Sequence, residues 1–368
     1  MYSKIKGQEK AISILKRAIE QDKVANSYLF YGPEGVGKFT TALYFGMALN
    51  CHATIDKRPC GLCVSCHKFL SFSHPDFVYT FPSPNWHSDD GKIKSETDLN
   101  EFYAYIANKI KSPWKEYFFK GKIAIRIASI RMIIHKINLS PNEARKKIYL
   151  IENADMMNIQ TANAFLKTLE EPPEDSVIIL TSSKPDSLLS TILSRCQKIQ
   201  FFPITRQIIE KELIEEKFLE NIEAKMYARI ANGSMAKALR LVEAGRLETR
   251  EKTYELLKIM LAQDDLLFIE FANNYRTLKT QSELADIISH LIILLSDISF
   301  FQNYPSEIVN LDKTEMLEIL HRLNPNVNEY VLKLIDFLEQ MLRRLAGNVN
   351  PQLILTEIYN RLNQTFFR

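Results

Sequence analysis

The sequence predicts an α/β domain built on a parallel sheet, followed by a remainder that is helical throughout. Three observations predict it. Short apolar runs alternate with helical periodicity as far as Phe202, a glycine-rich turn joins one such run to a helix, and beyond Phe202-Pro203 the strand-like runs stop. Strands that alternate with helices imply a parallel sheet, because each return to the same edge needs a crossover.

Each element has its own pattern. From Ala11 to Ile19 apolar side chains fall at 11, 12, 14, 15, 18 and 19, the spacing of an amphipathic helix. Ser27 to Tyr31 is an apolar run ending at Gly32, read as a buried strand, and Thr40 to Leu49 as a helix. Lys147 to Ile151 is a second strand. Ala162 to Leu169 is a helix stopped by Glu170-Glu171-Pro172-Pro173, and Val177 to Thr181 is a third strand. Late in the chain Asn328 to Leu345 and Pro351 to Leu362 are helices. Asn350 caps the second of these, and Pro351 lacks the amide hydrogen that the first turn leaves unpaired. Residues 82–120 break the pattern and are read as an insertion, helical around Leu99 to Ile110. The expected division is an α/β domain over 1–204, a small helical domain over 205–245 and a helical domain over 246–368. At 368 residues the chain exceeds what one core usually holds.

Composition narrows the class. With 46% apolar and 25% charged residues the chain has the balance of an ordinary globular protein, and a net charge of +3 is too small by itself to argue for nucleic acid. The longest pure apolar run, Leu291 to Leu295, falls far short of the roughly 20 residues of a membrane span. Met1 to Lys6 lacks the apolar core of a signal peptide, so a cytosolic protein with no membrane association is expected.

Gly32-Pro33-Glu34-Gly35-Val36-Gly37-Lys38 matches the phosphate-loop pattern between a strand and a helix. In such a loop backbone amides cradle phosphates at a helix N-terminus and the lysine neutralises them. Gly32, Gly35, Gly37 and Lys38 are therefore candidate nucleotide-binding residues, in a degenerate site. The next position normally offers a hydroxyl to Mg²⁺, and here it is Phe39. Thr40 comes one residue late, about 100° round the helix. The strand ending at Ile151 is followed by Glu152-Asn153, where an Asp-Glu pair would hold the metal and polarise water; Glu152 could still reach a metal, at a longer reach, but Asn153 cannot serve as a base. Asp155 reads as a helix cap. These losses argue against hydrolysis and leave nucleotide binding doubtful.

Four of the five cysteines, Cys51, Cys60, Cys63 and Cys66, lie within sixteen positions. In a reducing compartment that clustering points to a tetrahedral Zn²⁺ site, with Pro59 and Gly61 supplying the turn. His52, His67 and His74 are possible stand-ins, but four thiolates already complete the metal. With no open position the zinc is expected to be structural.

Taken in order, Ile5-Lys6-Gly7-Gln8-Glu9, Tyr28-Leu29-Phe30, the phosphate loop, the cysteine cluster, His74-Pro75-Asp76-Phe77, Leu166 to Pro173 and Ser194-Arg195-Cys196 resemble one known family. It is the delta-prime family of bacterial DNA polymerase III clamp-loader subunits, within the AAA+ class. Asn348-Val349-Asn350-Pro351-Gln352-Leu353 is similar to the start of that family's last collar helix. The resemblance covers nearly the whole chain outside 82–120, and its specific part is the Leu-Glu-Glu-Pro-Pro and Ser-Arg-Cys pair.

The resemblance implies an AAA+ domain, a helical lid and a collar. It implies a five-membered ring with gamma or tau and delta subunits, the sliding clamp as cargo and primed DNA as template. It also implies a sensor basic residue in the lid, where ATPase relatives carry Gly-Ser-x-Arg. This chain has Gly233-Ser234-Met235-Ala236, with Lys237 next. Arg195 is by itself a helix-end surface arginine; its place in Ser-Arg-Cys favours an arginine finger acting in trans. Cys196 reads as a small core residue. Trp86, Tyr103, Tyr105, Trp114, Tyr117, Phe118 and Phe119, interleaved with Lys109, Lys111, Lys115 and Lys120, form either a nucleic-acid surface or the insertion's own core. Packing is favoured, because a long insert needs a core of its own.

The function expected is a non-hydrolysing clamp-loader subunit that helps load the sliding clamp and gives Arg195 to a neighbouring ATPase. Two rivals remain. An active gamma- or tau-type ATPase needs hydroxyl or carboxylate substitutes not found in these motifs, and a zinc-bearing DNA-binding protein needs a strongly basic face.

Overall fold

The computed structural model describes residues 5–86, 94–114, 119, 123–217, 219, 221–243, 247–277, 280–301, 308, 310, 313–323, 327–345 and 349–366. Met1 to Lys4, Lys115, Tyr117, Phe118, Lys120, Asn348 and the boundary at 245 lie outside the described residues.

The first part runs α1 (Glu9–Glu20), β1 (Ser27–Tyr31), α2 (Lys38–Asn50), α3 (Val64–Leu70), β2 (Phe77–Thr80), α4 (Glu96–Lys111), α5 (Ile127–Ile137), β3 (Lys147–Ile151), α6 (Ile159–Glu170), β4 (Ser176–Ser182), α7 (Ser190–Leu193) and β5 (Gln197–Gln200). The chain is helical from there: α8 (Arg206–Lys217), α9 (Asn221–Ile230), α10 (Met235–Glu243), α11 (Leu247–Ala262), α12 (Asp265–Asn273), α13 (Gln281–Phe300), α14 (Thr314–Leu323), α15 (Val327–Leu345) and α16 (Pro351–Phe366). Two compact units result, one from Met1–Lys217 with Ala231–Arg240, the other from Phe218–Ile230 with Leu241–Arg368.

In the first unit the five strands are all parallel, in the order β2-β3-β4-β1-β5. β1 lies between β4 and β5, with Leu29 opposite Leu180 on one side and Lys198 on the other. Alternation along the strands sorts their side chains to two faces. Leu29, Tyr149, Ile151, Ile178 and Leu180 pack with Ile130 and Ile133 of α5 and Phe165 of α6. On the other face lies α2, buried from end to end, with Phe45 edge-on to Tyr28 and Gly46 close to Ile148. A helix apolar all round belongs in such a place.

β2 and β5 were not legible as strands. β5 buries only Ile199 of its four residues, whereas β2, at the other edge, buries three of four. α2 begins at Lys38, two residues before the expected Thr40. The second unit has its own core, in which Leu257, Leu291, Leu338 and Ile358 are among the buried residues of α11, α13, α15 and α16. Asn350 caps α16 as expected, its Oδ1 accepting the Gln352 amide at 2.9 Å. Among the described residues no helix is long and apolar enough to cross a membrane.

Candidate functional site

Two constellations gather residues singled out in the sequence, both in the first unit. In parallel α/β sheets ligands bind beyond the carboxyl ends of strands. The glycine-rich loop leaves β1 there, and Glu152 stands just past the end of β3.

Within the loop, Gly35 and Gly37 have φ of +72° and +96°. Side chains are also packed close against both. A Cβ on Gly35 would overlap Ser234 Oγ and lie 2.8 Å from Ala236 Cβ; one on Gly37 would lie 2.8 Å from the Trp114 indole. The Ala236 amide donates to Gly35 O at 3.3 Å, so the position where the resemblance implies a sensor basic residue rests on the loop itself. Lys38 is 7% exposed and donates to Gly32 O at 2.7 Å and Pro33 O at 2.5 Å. Burial pushes its ammonium down to about 8, opposed by the charges of Glu34, Asp155 and Glu152.

Phe39 is buried, its ring 5.2 Å from that of Tyr79. Glu152 is engaged on both oxygens by other side chains. Lys109, from the insertion helix α4, donates to its Oε1 at 2.8 Å, and Tyr79 and Tyr105 donate to its Oε2. Burial raises both phenols well above their ordinary value, and the Glu152 charge adds to this. The same Lys109 ammonium lies 4.1 Å from the centre of the Phe39 ring. Asn153 takes a left-handed conformation, φ +51°, and its amide donates to Thr181 Oγ1.

The reading of Asp155 as a helix cap is corrected. It sits inside a short 3₁₀ turn, Ala154–Met156, that Asn153 precedes, and its Oδ1 is buried without a hydrogen-bond partner. The residues at this site do not fit a nucleotide with its metal. The hydroxyl position is aromatic, the carboxylate is filled, and the loop lysine is turned onto its own carbonyls.

The insertion explains several of these contacts. Ser83 and Ala124 exchange backbone hydrogen bonds at its base, and Phe81, Trp86 and Tyr105 form an aromatic cluster with Phe102 and Phe119. Packing therefore accounts for Trp86, Tyr105 and Phe119, while Tyr103 is exposed. Tyr79 was missed in the sequence, and Lys109 and Trp114 were seen only as members of a mixed aromatic and basic group, with packing favoured over a nucleic-acid surface. The available signal was the four-residue spacing of Tyr105 and Lys109, which puts both on one face of a helix.

The second constellation is the cysteine cluster. Cys51 ends α2, Cys63 caps α3, Cys66 lies in the first turn of α3, and Cys60 comes from the loop between. All four sulfurs lie within 4.8 Å of one another, with Cys51–Cys63 and Cys60–Cys66 at 4.0 Å. A tetrahedral Zn²⁺ with bonds of about 2.3 Å sets its sulfurs about 3.8 Å apart. Amides of Cys60, Leu62, Cys63 and Cys66 donate to the sulfurs at 3.4 to 3.5 Å. The Leu62 amide leads in lowering Cys60 to about 6, while burial raises Cys51 and Cys66. Four converging thiols with amide donors fit a closed metal centre, and His74 is not needed: its Nδ1 accepts the Asp76 amide.

Arg195 follows α7. It donates to Thr191 O at 3.0 Å and to Glu170 Oε1 at 3.1 Å, with the side chain 28% exposed. Glu170 begins the Glu-Glu-Pro-Pro run, so the two specific motifs of the sequence touch. Cys196 is buried, and burial raises its thiol to about 12, which suits a core residue.

A family model described as DNA polymerase III, delta subunit matches residues 7–205. The chain is 26% identical to DNA polymerase III subunit tau of Bacillus subtilis, over 99% of this chain and 62% of that protein. It is also 26% identical to subunit delta' of Bacillus subtilis, over 97% of this chain and 96% of that protein. A solved DNA polymerase III gamma-subunit-related protein from Thermotoga maritima is 17% identical with a TM-score of 0.44, covering 97% of this chain and 100% of that one.

Proposed function

Because the chain belongs to the family described as DNA polymerase III, delta subunit, and with it to the AAA+ clamp-loader proteins, we propose that it is a delta-prime subunit that does not hydrolyse ATP and completes a neighbour's ATP site. Identity to the tau and delta' relatives is the same, 26%, so the choice rests on the site. The observation that carries it is that Phe39 and Glu152, at the two metal-holding positions, face the Lys109 ammonium. Asn153 and Ala236 further lack the base and the sensor cation, whereas Arg195 stands partly exposed at the end of α7.

On this reading the partners are gamma or tau and delta subunits, the sliding clamp and, through the complex, primed DNA, in the cytoplasm. Cys51, Cys60, Cys63 and Cys66 hold a structural Zn²⁺ that braces α2 against α3. The division into an AAA+ domain to about 204, a lid to about 245 and a collar beyond belongs to the same proposal.

Arg195 acts on a neighbour's transferring phosphoryl group, where a fixed cation offsets developing charge. Fingers supplied in trans are worth about 10³ to 10⁵ in rate, and a ring with several sites loses less when one finger goes. Lysine does not replace the guanidinium fork. The test uses the chain reconstituted with gamma, delta and clamp. Arg195→Ala and Arg195→Lys should assemble normally while lowering DNA-stimulated ATPase and clamp loading. Unchanged loading by both variants would show Arg195 to be only a surface residue.

A further inference from the structure

We infer that this chain closes its own nucleotide site with its insertion: the Lys109 ammonium replaces a divalent cation, and the Trp114 indole covers the start of α2. This deepens the non-hydrolysing reading, since a chain can lack hydrolysis and still hold nucleotide.

In a working phosphate-loop site one metal ion joins the hydroxyl after the loop lysine to the carboxylate at the end of a neighbouring strand. Here residues 39 and 152 also share a cation, but it is an ammonium from the same chain. Lys109 Nζ lies 2.8 Å from Glu152 and 4.1 Å from the Phe39 ring centre. An aromatic face is a poor ligand for Mg²⁺ and a good partner for a desolvated ammonium. The change at 39 is thus matched to Lys109, and the two departures in the sequence become one adaptation.

The charges close among themselves. Lys109 is 8% exposed, and a buried ammonium persists only when paired. Glu152 supplies the pair, and phenols of Tyr79 and Tyr105 occupy its second oxygen. Lys38, which would meet phosphate, is bound to Gly32 O and Pro33 O. Trp114 lies against Gly37, the residue before the first turn of α2, where anions would otherwise meet free amides. The stopper is anchored, because Lys109 leaves α4 one turn after Tyr105, which is fixed in the insertion's aromatic cluster.

The experiment measures ADP binding, with and without Mg²⁺, by equilibrium dialysis on the full zinc-containing chain. The unaltered protein should bind too weakly to detect at millimolar ADP. Trp114→Ala, and more so Lys109→Ala with Trp114→Ala, should gain affinity by about tenfold or more, as expected when a closed state is depopulated. Adding Lys38→Ala should remove the gain. Trp114 is only half-buried, so its single variant keeps the test open if the double variant does not fold. Hydrogen exchange then reports on the Gly35–Phe39 amides, which should be protected in the unaltered chain and faster in Trp114→Ala. Binding by the unaltered protein as tight as by the variants would overturn the inference. So would folded variants that gain nothing. Either result leaves the Arg195 and hydrolysis tests untouched, so the two readings fail separately.

Discussion

Asp76 is 3% exposed and lies in a His-Pro-Asp-Phe run that the sequence marked only by resemblance. Its two oxygens accept the amides of Asn142, Glu143 and Ala144 and the side chain of Asn142, tying the loop before β3 to the start of β2. Burial alone would raise its pKa; the three amides and the Asn142 side chain outweigh burial and hold it below the ordinary carboxylate value. Because the folded value is the lower one, the stabilisation is complete above the unfolded pKa of about 3.9 and is lost as pH falls through the folded value. Asp76→Asn should therefore cost about 2 kcal/mol near neutrality. Denaturant titrations should show the gap between the two proteins holding from pH 8 to 5 and narrowing below 4. A gap that did not vary with pH would mean the charge is irrelevant there.

Among the elements, the strands show what the sequence could reveal. β1, β3 and β4 are central, buried on both faces, and were legible as apolar runs. β2 and β5 are the sheet's edges, and in β5 Gln197, Lys198 and Gln200 are exposed, so no apolar run marked it. The phosphate loop and the cysteines were legible because their residues are close in sequence. Lys109 and Trp114 were not legible as site residues, because they reach Glu152 and Gly37 across 43 and 77 positions, and no local spacing records that. The cysteine module joins α2 to α3, and its prediction belongs at this scale. We expect about one Zn²⁺ per chain by elemental analysis, falling below about half an equivalent in Cys66→Ser. Chelation should also speed hydrogen exchange in α3 ahead of global unfolding, because the metal and the short helix fold together.

For the molecule as a whole, the site predicts what the chain does without partners. We expect no steady-state ATPase from the purified protein, and none after Phe39→Thr with Asn153→Glu, because Lys109 and the Tyr79–Tyr105 pair still engage Glu152. Turnover by the unmodified chain, abolished by Lys38→Ala, would refute this. Arg195 pairs with Glu170 at the end of α7. An ion pair this exposed contributes about 0 to 1 kcal/mol, so its partner is exchangeable. Glu170 and the Thr191 carbonyl hold the guanidinium at the end of α7, and on the proposed reading Arg195 exchanges Glu170 for a neighbour's phosphoryl group. Glu170→Ala should then leave clamp loading in the reconstituted complex close to normal, while making the Arg195 side chain more mobile in the free chain. Glu170 is thus a weakly held counter-ion, and an exchangeable one.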